Sequence, residues 1–147
     1  MMNKIMKLSL TILFVLITSG IGYSQSQSAI TSEKIADNIY IVKGGVANTG
    51  FIVGAKEVAA IDAEMTADQA KKMIDEIRKV TSQPLTKLIL THSDGDHING
   101  LAGFPQGLDI ISSVQAKNEM AEAFKAPNAQ ALQPYLPTKI FADKMIS

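Results

Sequence analysis

Between residues 39 and 61 the apolar positions come in short runs broken by glycine and charge. "IYIV" (Ile39–Val42) stops at Gly44–Gly45, and Phe51–Val53 and Val58–Ile61 flank the turn formers Gly54-Ala55-Lys56-Glu57. Runs this short, rich in β-branched residues and bounded by turns, predict a meander of strands. The period then changes. Ala70, Met73, Ile74 and Ile77 recur at helical spacing and predict one amphipathic helix. Thr66 with Gln69 three residues later forms a capping-box pair. Asp68 in the first turn and Arg78 and Lys79 in the last complement the helix dipole. Pro84 ends the connection. "LTKLILT" (Leu85–Thr91) is almost continuously apolar, the pattern of a strand covered on both faces. A second helix-like piece starts near His97, Asp109–Ser112 reads as a short strand, and Ser113–Phe124 as a second amphipathic helix. The tail carries Pro127, Pro134 and Pro137, and "KIFADKMIS" reads as the opening of a further strand. Alternating signals without a repeat predict an α/β fold with a mixed sheet.

The first residues follow another rule. Lys4 and Lys7 precede an apolar run from Leu8 to Ile17, and small residues follow in "TSGIGYS". Positive, apolar, then small is the order of a secretory signal peptide, expected over residues 1–24 with cleavage after Ser24. The run is shorter than the roughly 20 residues a spanning helix needs, so no stable membrane anchor is expected. The expectation is a secreted or periplasmic protein, with residues 25–33 as a flexible start and residues 34–147 as the folded part.

Composition narrows the chemistry. The 147-residue chain is 46% hydrophobic and 19% charged, which suits one domain with a core. Basic and acidic residues balance at fourteen each. There is no basic stripe and no phosphate-cradling GxxxxGK[ST] loop, so no nucleic-acid partner is expected. Cysteine is absent, which excludes disulfides, thiolate ligands and a lipid-anchored leader. Any metal must be held by nitrogen and oxygen.

Both histidines of the chain fall in "LTHSDGDHING" (Leu90–Gly100), interleaved with Asp94 and Asp96. The stretch follows the apolar strand, and in α/β sheets sites gather at the carboxyl ends of strands. On extended backbone i and i+2 share a face, so His92 and Asp94 can reach one point. Gly95 allows a reversal, after which Asp96 and His97 can reach a second point close by. Imidazole and carboxylate suit Zn²⁺, with Mn²⁺ or Fe²⁺ also open. Such a cation lowers the pKa of a bound water to about 7. His92 and Ser93 are adjacent and diverge, a poor base–nucleophile couple. The plainer reading is a polar turn, with Asp96 capping a helix that begins at His97. Concentration of every histidine at this spacing favours ligation.

A strand ending in Thr, then H-x-D-x-D-H, then Gly resembles the metallo-β-lactamase-fold hydrolases, whose signature is H-x-H-x-D-H. The likeness runs from about Ile35 to Phe141 and includes the meander ending in "AAID", with Asp62 where the family has an Asp after a strand. The resemblance implies half of an αββα sandwich, a mixed sheet with flanking helices. It implies one or two Zn²⁺ ions and a hydroxide acting on a small-molecule ester, lactone, thioester, amide (β-lactams included) or phosphoester. His92 then matches a ligand of a first metal, and Asp96 and His97 match ligands of a second. Asp96 also orients or deprotonates the water, and Asp62 holds the ligand loop or simply bonds the strand end. Asp94 stands where the family has its second His. It either ligates as an anionic oxygen or leaves a single metal on His92, one Asp and His97. The family takes further ligands from its other half, and this sequence has no third His. The resemblance therefore implies the N-terminal part of a longer enzyme, or a truncated, inactive secreted metal-binding or interaction protein. Alone, the chain would expose a sheet face meant to be covered.

Overall fold

A computed structural model describes residues 29–143. The leader expected over residues 1–24 lies outside the described residues. Among those described, no helix is long and apolar enough to cross a membrane.

Seven strands form one sheet: β1 (Thr31–Ala36), β2 (Ile39–Lys43), β3 (Thr49–Val53), β4 (Val58–Ile61), β5 (Leu85–Ile89), β6 (Asp109–Ser113) and β7 (Lys139–Phe141). Their order across the sheet is their order in the chain. The first four pair antiparallel through short turns. From β4 onward the pairs are parallel, because each connection now crosses over through helical structure. The first crossover is α1 (Ala67–Val80), where the Thr66 side chain accepts the Gln69 amide as its N-cap. A single turn, α2 (Gly95–Ile98), runs into a 3-10 turn at Asn99–Gly103. α3 (Val114–Ala123) is capped by the Ser113 hydroxyl, and a second 3-10 stretch spans Pro127–Tyr135.

Strand alternation sorts the side chains onto two unequal faces. On one, Val42, Phe51, Ala60, Leu88 and Ile110 pack with Met73 and Ile77 of α1 and Met120 of α3 in the buried core. Burying a side chain such as Phe51 or Leu88 stabilises by about 1.5–3 kcal/mol. Tyr40 stacks flat on its cross-strand partner Phe51, ring centroids 4.7 Å apart. On the opposite face the register aligns Ile39 with Ile52, and Ile61 with Ile89 and Ile111. These isoleucines are half-buried and lie outside the core cluster. At one side of this row sit the ion pairs Lys87–Glu57 and Lys139–Asp109.

Two expectations change. β5 is not buried on both faces: Leu88 is enclosed, while Lys87 and Ile89 are half-exposed, because the helices described all join the core on Leu88's side. Of the segment expected as a flexible start, residues 25–33, residues 25–28 lie outside the described residues, Ile30 joins the core and Thr31–Glu33 belong to β1. There Glu76 of α1 accepts hydrogen bonds from the Ser32 amide (2.9 Å) and hydroxyl (3.0 Å), tying β1 to the helix.

Candidate metal centre

The site is built where β4 and β5 end side by side. After Ile61 the chain turns sharply towards α1, and Asp62 takes φ +61°. For a residue with a Cβ this left-handed conformation costs about 1–2 kcal/mol. The cost is offset by what the turn achieves. The Asp62 amide donates to the Ile89 carbonyl at 2.8 Å. The carboxylate, almost fully buried, accepts from the Thr91 amide on Oδ1 at 2.8 Å. Its Oδ2 receives the Thr91 hydroxyl at 2.8 Å and faces His97 Nδ1 at 2.9 Å.

This network orients both imidazoles. A carboxylate can only accept, so His97 carries a proton on Nδ1 and turns Nε2 outward. The Thr91 hydroxyl has one proton, directed to Asp62, and its oxygen lies 2.8 Å from His92 Nδ1. His92 therefore donates from Nδ1 and also turns Nε2 outward. One buried carboxylate orients one ring directly and the other through a hydroxyl.

The free nitrogens face carboxylates. His92 Nε2 lies 3.6 Å from Asp94 Oδ2, and His97 Nε2 lies 3.4 Å from Asp96 Oδ2. The ring centroids are 4.0 Å apart. Donor atoms of His92, Asp94 and Asp96 fall within 4.8 Å of one another, as do those of Asp62, His92 and His97. In the second grouping Asp62 Oδ2 is already engaged by Thr91 and His97, so Asp62 holds the two rings rather than offering a free donor. The structure thus brings His92, Asp94 and Asp96 to one focus, with His97 against His92 and Asp96 and with Asp62 behind the two rings. The two points expected on either side of Gly95 lie close enough for His92, Asp94 and Asp96 to share one focus. Exposure rises outward, from 17% for the His97 side chain to 77% for Asp94.

The capping part of the turn reading changes. The N-cap position of α2 is Asp94, not Asp96, and no side-chain cap bond forms there. Asp94 contributes only its carbonyl, to the His97 amide at 2.9 Å. Ser93 points away from His92 and donates to Glu119 of α3. That bond, with a second from Gln115, holds the Glu119 carboxyl below its ordinary range.

Two contributors escaped the sequence reading. Thr91 was legible only as a strand end. Glu64 has no sequence signal at all, since nothing marks a glutamate for φ +65°. Its carboxyl is fully enclosed, with Oε1 accepting from the Thr49 hydroxyl at 2.6 Å. Burial pushes it above the usual 4.5, against the lowering effect of the Thr49 bond. A concavity of about 490 Å³ between α1 and Phe104–Pro105 shares no lining residue with this cluster.

The chain matches the sequence pattern of the metallo-beta-lactamase superfamily over residues 42–138. It is 32% identical over 81 residues to the alkyl/aryl-sulfatase BDS1 of Saccharomyces cerevisiae, a match covering 54% of this chain and 12% of that protein. It is 36% identical over 44 residues to the linear primary-alkylsulfatase of a Pseudomonas species, covering 30% of this chain and 8% of that one. Among solved structures, the metallo-beta-lactamase of Pontibacter korlensis superposes with a TM-score of 0.64 at 19% identity, over 79% of this chain and 54% of that chain. TMB-1 superposes with a TM-score of 0.56 at 18% identity, over 65% of this chain and 48% of that chain. The likeness to these two is one of fold, and this chain spans about half the length of each.

Proposed function

The chain belongs to the metallo-beta-lactamase superfamily, and from that premise we propose that it is a metal-dependent hydrolase of small ester substrates, its cation held by His92, Asp94, Asp96 and His97. The observation that carries this reading is the pair of imidazoles whose Nδ1 atoms are tied back to Asp62 and whose Nε2 atoms face two carboxylates. The fit is chemical: two neutral nitrogens and two anionic oxygens are a borderline-to-hard donor set, suited to Zn²⁺ and compatible with Mn²⁺ or Fe²⁺. When bound, the cation supplies Lewis acidity and brings a water to a pKa of about 7.

The residues do the rest. Asp62 and Thr91 keep the rings from turning, so no ordering is needed when the site fills. Asp96, beside His97 and half-exposed, accepts the proton of the attacking water. Asp94, the most exposed of the four, adds negative charge where the family carries a neutral His, which favours a harder cation. Both curated relatives are sulfatases by name. That supports sulfate esters as the first substrates to try, ahead of carboxylic esters, lactones, thioesters, amides and phosphoesters. The lysine–apolar–small order of residues 1–24 supports export to the periplasm or beyond.

The row of half-buried isoleucines outside the core favours a second reading, a secreted metal-binding or interaction protein whose sheet pairs with other polypeptide and which has no turnover alone. One experiment separates them. The purified chain is loaded with Zn²⁺, its metal content measured by mass spectrometry, and sulfate release from p-nitrophenyl sulfate followed. Near-stoichiometric metal that drops in His92→Ala and His97→Ala, with turnover, supports the hydrolase. Metal without turnover on sulfate or carboxylate esters supports the second reading. A chain that takes up no metal sinks both.

A further inference from the structure

The chemistry proposed above makes no use of Glu64, yet this residue is held at two costs. It sits in the link between β4 and α1 with φ +65°, a conformation glycine would take freely. Its carboxyl is fully buried, and burial of an incompletely paired carboxyl is unfavourable. Strain of this kind persists only where the surroundings over-determine it.

Those surroundings lie on two sides. The side chain reaches into the connection between β2 and β3. There Oε1 takes the Thr49 hydroxyl, and Oε2 lies against Gly45 with no hydrogen-bond partner among the described residues. A Cβ at Gly45 would collide with that oxygen. The main chain faces the other way. The Glu64 carbonyl accepts from the Gly100 amide at 2.9 Å, and the Ala63 amide donates to the His97 carbonyl at 2.7 Å. Gly100 approaches so closely that a Cβ there would overlap the Ala63 carbonyl. The peptide between Ala63 and Glu64 is gripped between the turn that carries His97 and the loop that carries Gly45.

We propose that Glu64 is a positioning residue for His97: its carboxyl, wedged between Thr49 and Gly45, sets the Asp62–Glu64 turn, which in turn delivers the Asp62 carboxylate to the His97 ring and the Ala63 amide to its main chain. The inference rests on the metal-site reading only for its metal readout, because the orientation of His97 can be observed without a cation. A residue that merely filled the space would be replaced by glycine with relief of strain and no effect on the ring.

The test uses two readouts on the full chain. The first is the ¹⁵N shifts of the His97 ring in metal-free protein, which report the tautomer. The second is zinc affinity by chelator competition. Glu64→Gln keeps the shape and the acceptor for Thr49, and both readouts stay close to the parent. Glu64→Gly relieves the backbone but removes the wedge. The His97 ring then shows mixed tautomers, and zinc binding weakens about 10-fold or more, the scale of losing a residue that orients a ligand. A folded Glu64→Gly chain with parental ring shifts and affinity overturns the proposal. Should Glu64→Gly fail to fold, Gly45→Ala decides: it displaces Oε2, and unaltered His97 shifts overturn the proposal equally. A parent chain that binds no zinc removes the metal reading, while the ring shifts still decide the role of Glu64.

Discussion

Nδ1 of His97 lies 2.9 Å from Oδ2 of Asp62, a bond that spans 35 positions of sequence and joins the end of β4 to the turn after β5. The same oxygen takes the Thr91 hydroxyl that orients His92. Tautomer, ring rotation and spacing of both imidazoles therefore depend on one carboxylate.

Asp62→Asn tests that dependence. The amide oxygen can keep the Thr91 backbone bond, but the amide nitrogen then opposes the His97 N–H. Zinc affinity is expected to fall about 10- to 100-fold, the usual effect of losing a residue behind a ligand. Chelator competition measures it, and an unchanged affinity would mean that the rings are oriented by something else.

In the proposed site Asp94 supplies the most exposed carboxylate. Replacing it with histidine exchanges an exposed carboxylate for a borderline nitrogen, and Asp94→His is expected to shift preference towards Zn²⁺ and away from Mn²⁺. Loading with an equimolar mixture, followed by metal analysis, reads the ratio directly.

Leu88 and Ile89 are neighbours on β5 that face opposite ways. Leu88 is enclosed by the core, and Leu88→Ala should cost about 2–5 kcal/mol, lowering the urea midpoint. Ile89 is half-buried outside that core. Its replacement by Ala should cost distinctly less, and equal losses would show that the second face is covered in solution.

Glu76 links acid to the edge of the sheet. Its carboxyl is held below the ordinary 4.5, first by the Lys79 bond and then by the Ser32 amide and hydroxyl, with burial opposing. A depressed folded pKa gives stability that is present above the unfolded value and lost as pH falls through the folded one. Urea stability should therefore decline below about pH 4.5, and Glu76→Gln should flatten that decline. Amide exchange at Ser32 in β1 follows the same loss locally.

The elements legible in the sequence are those whose cause is local. α1 falls where the stripe of Ala70, Met73 and Ile77 and the Thr66 cap put it. β3 and β4 flank the predicted turn, and β6 and α3 meet at Ser113 as its capping chemistry requires. The start of β1 was hidden because its residues are mostly polar and exposed, and its tie to α1 through Glu76 spans 44 positions. Within the site, residue type and spacing pointed to His92, Asp94, Asp96 and His97, which the structure places in two overlapping groups that share His92. The deeper layer was illegible for a physical reason. Thr91 and Glu64 act through hydroxyl direction and a left-handed backbone, neither of which has a periodicity to read.

Because strand order copies chain order, a growing polypeptide leaving the ribosome meets each new strand's partner already in place. Asp62, Thr91, His92 and His97 all precede β6, so the bonds that orient the two rings need nothing from the C-terminal third. Such a sheet can be assembled as a zipper runs, from one edge to the other, the antiparallel hairpins first and each parallel strand once its helical crossover has closed.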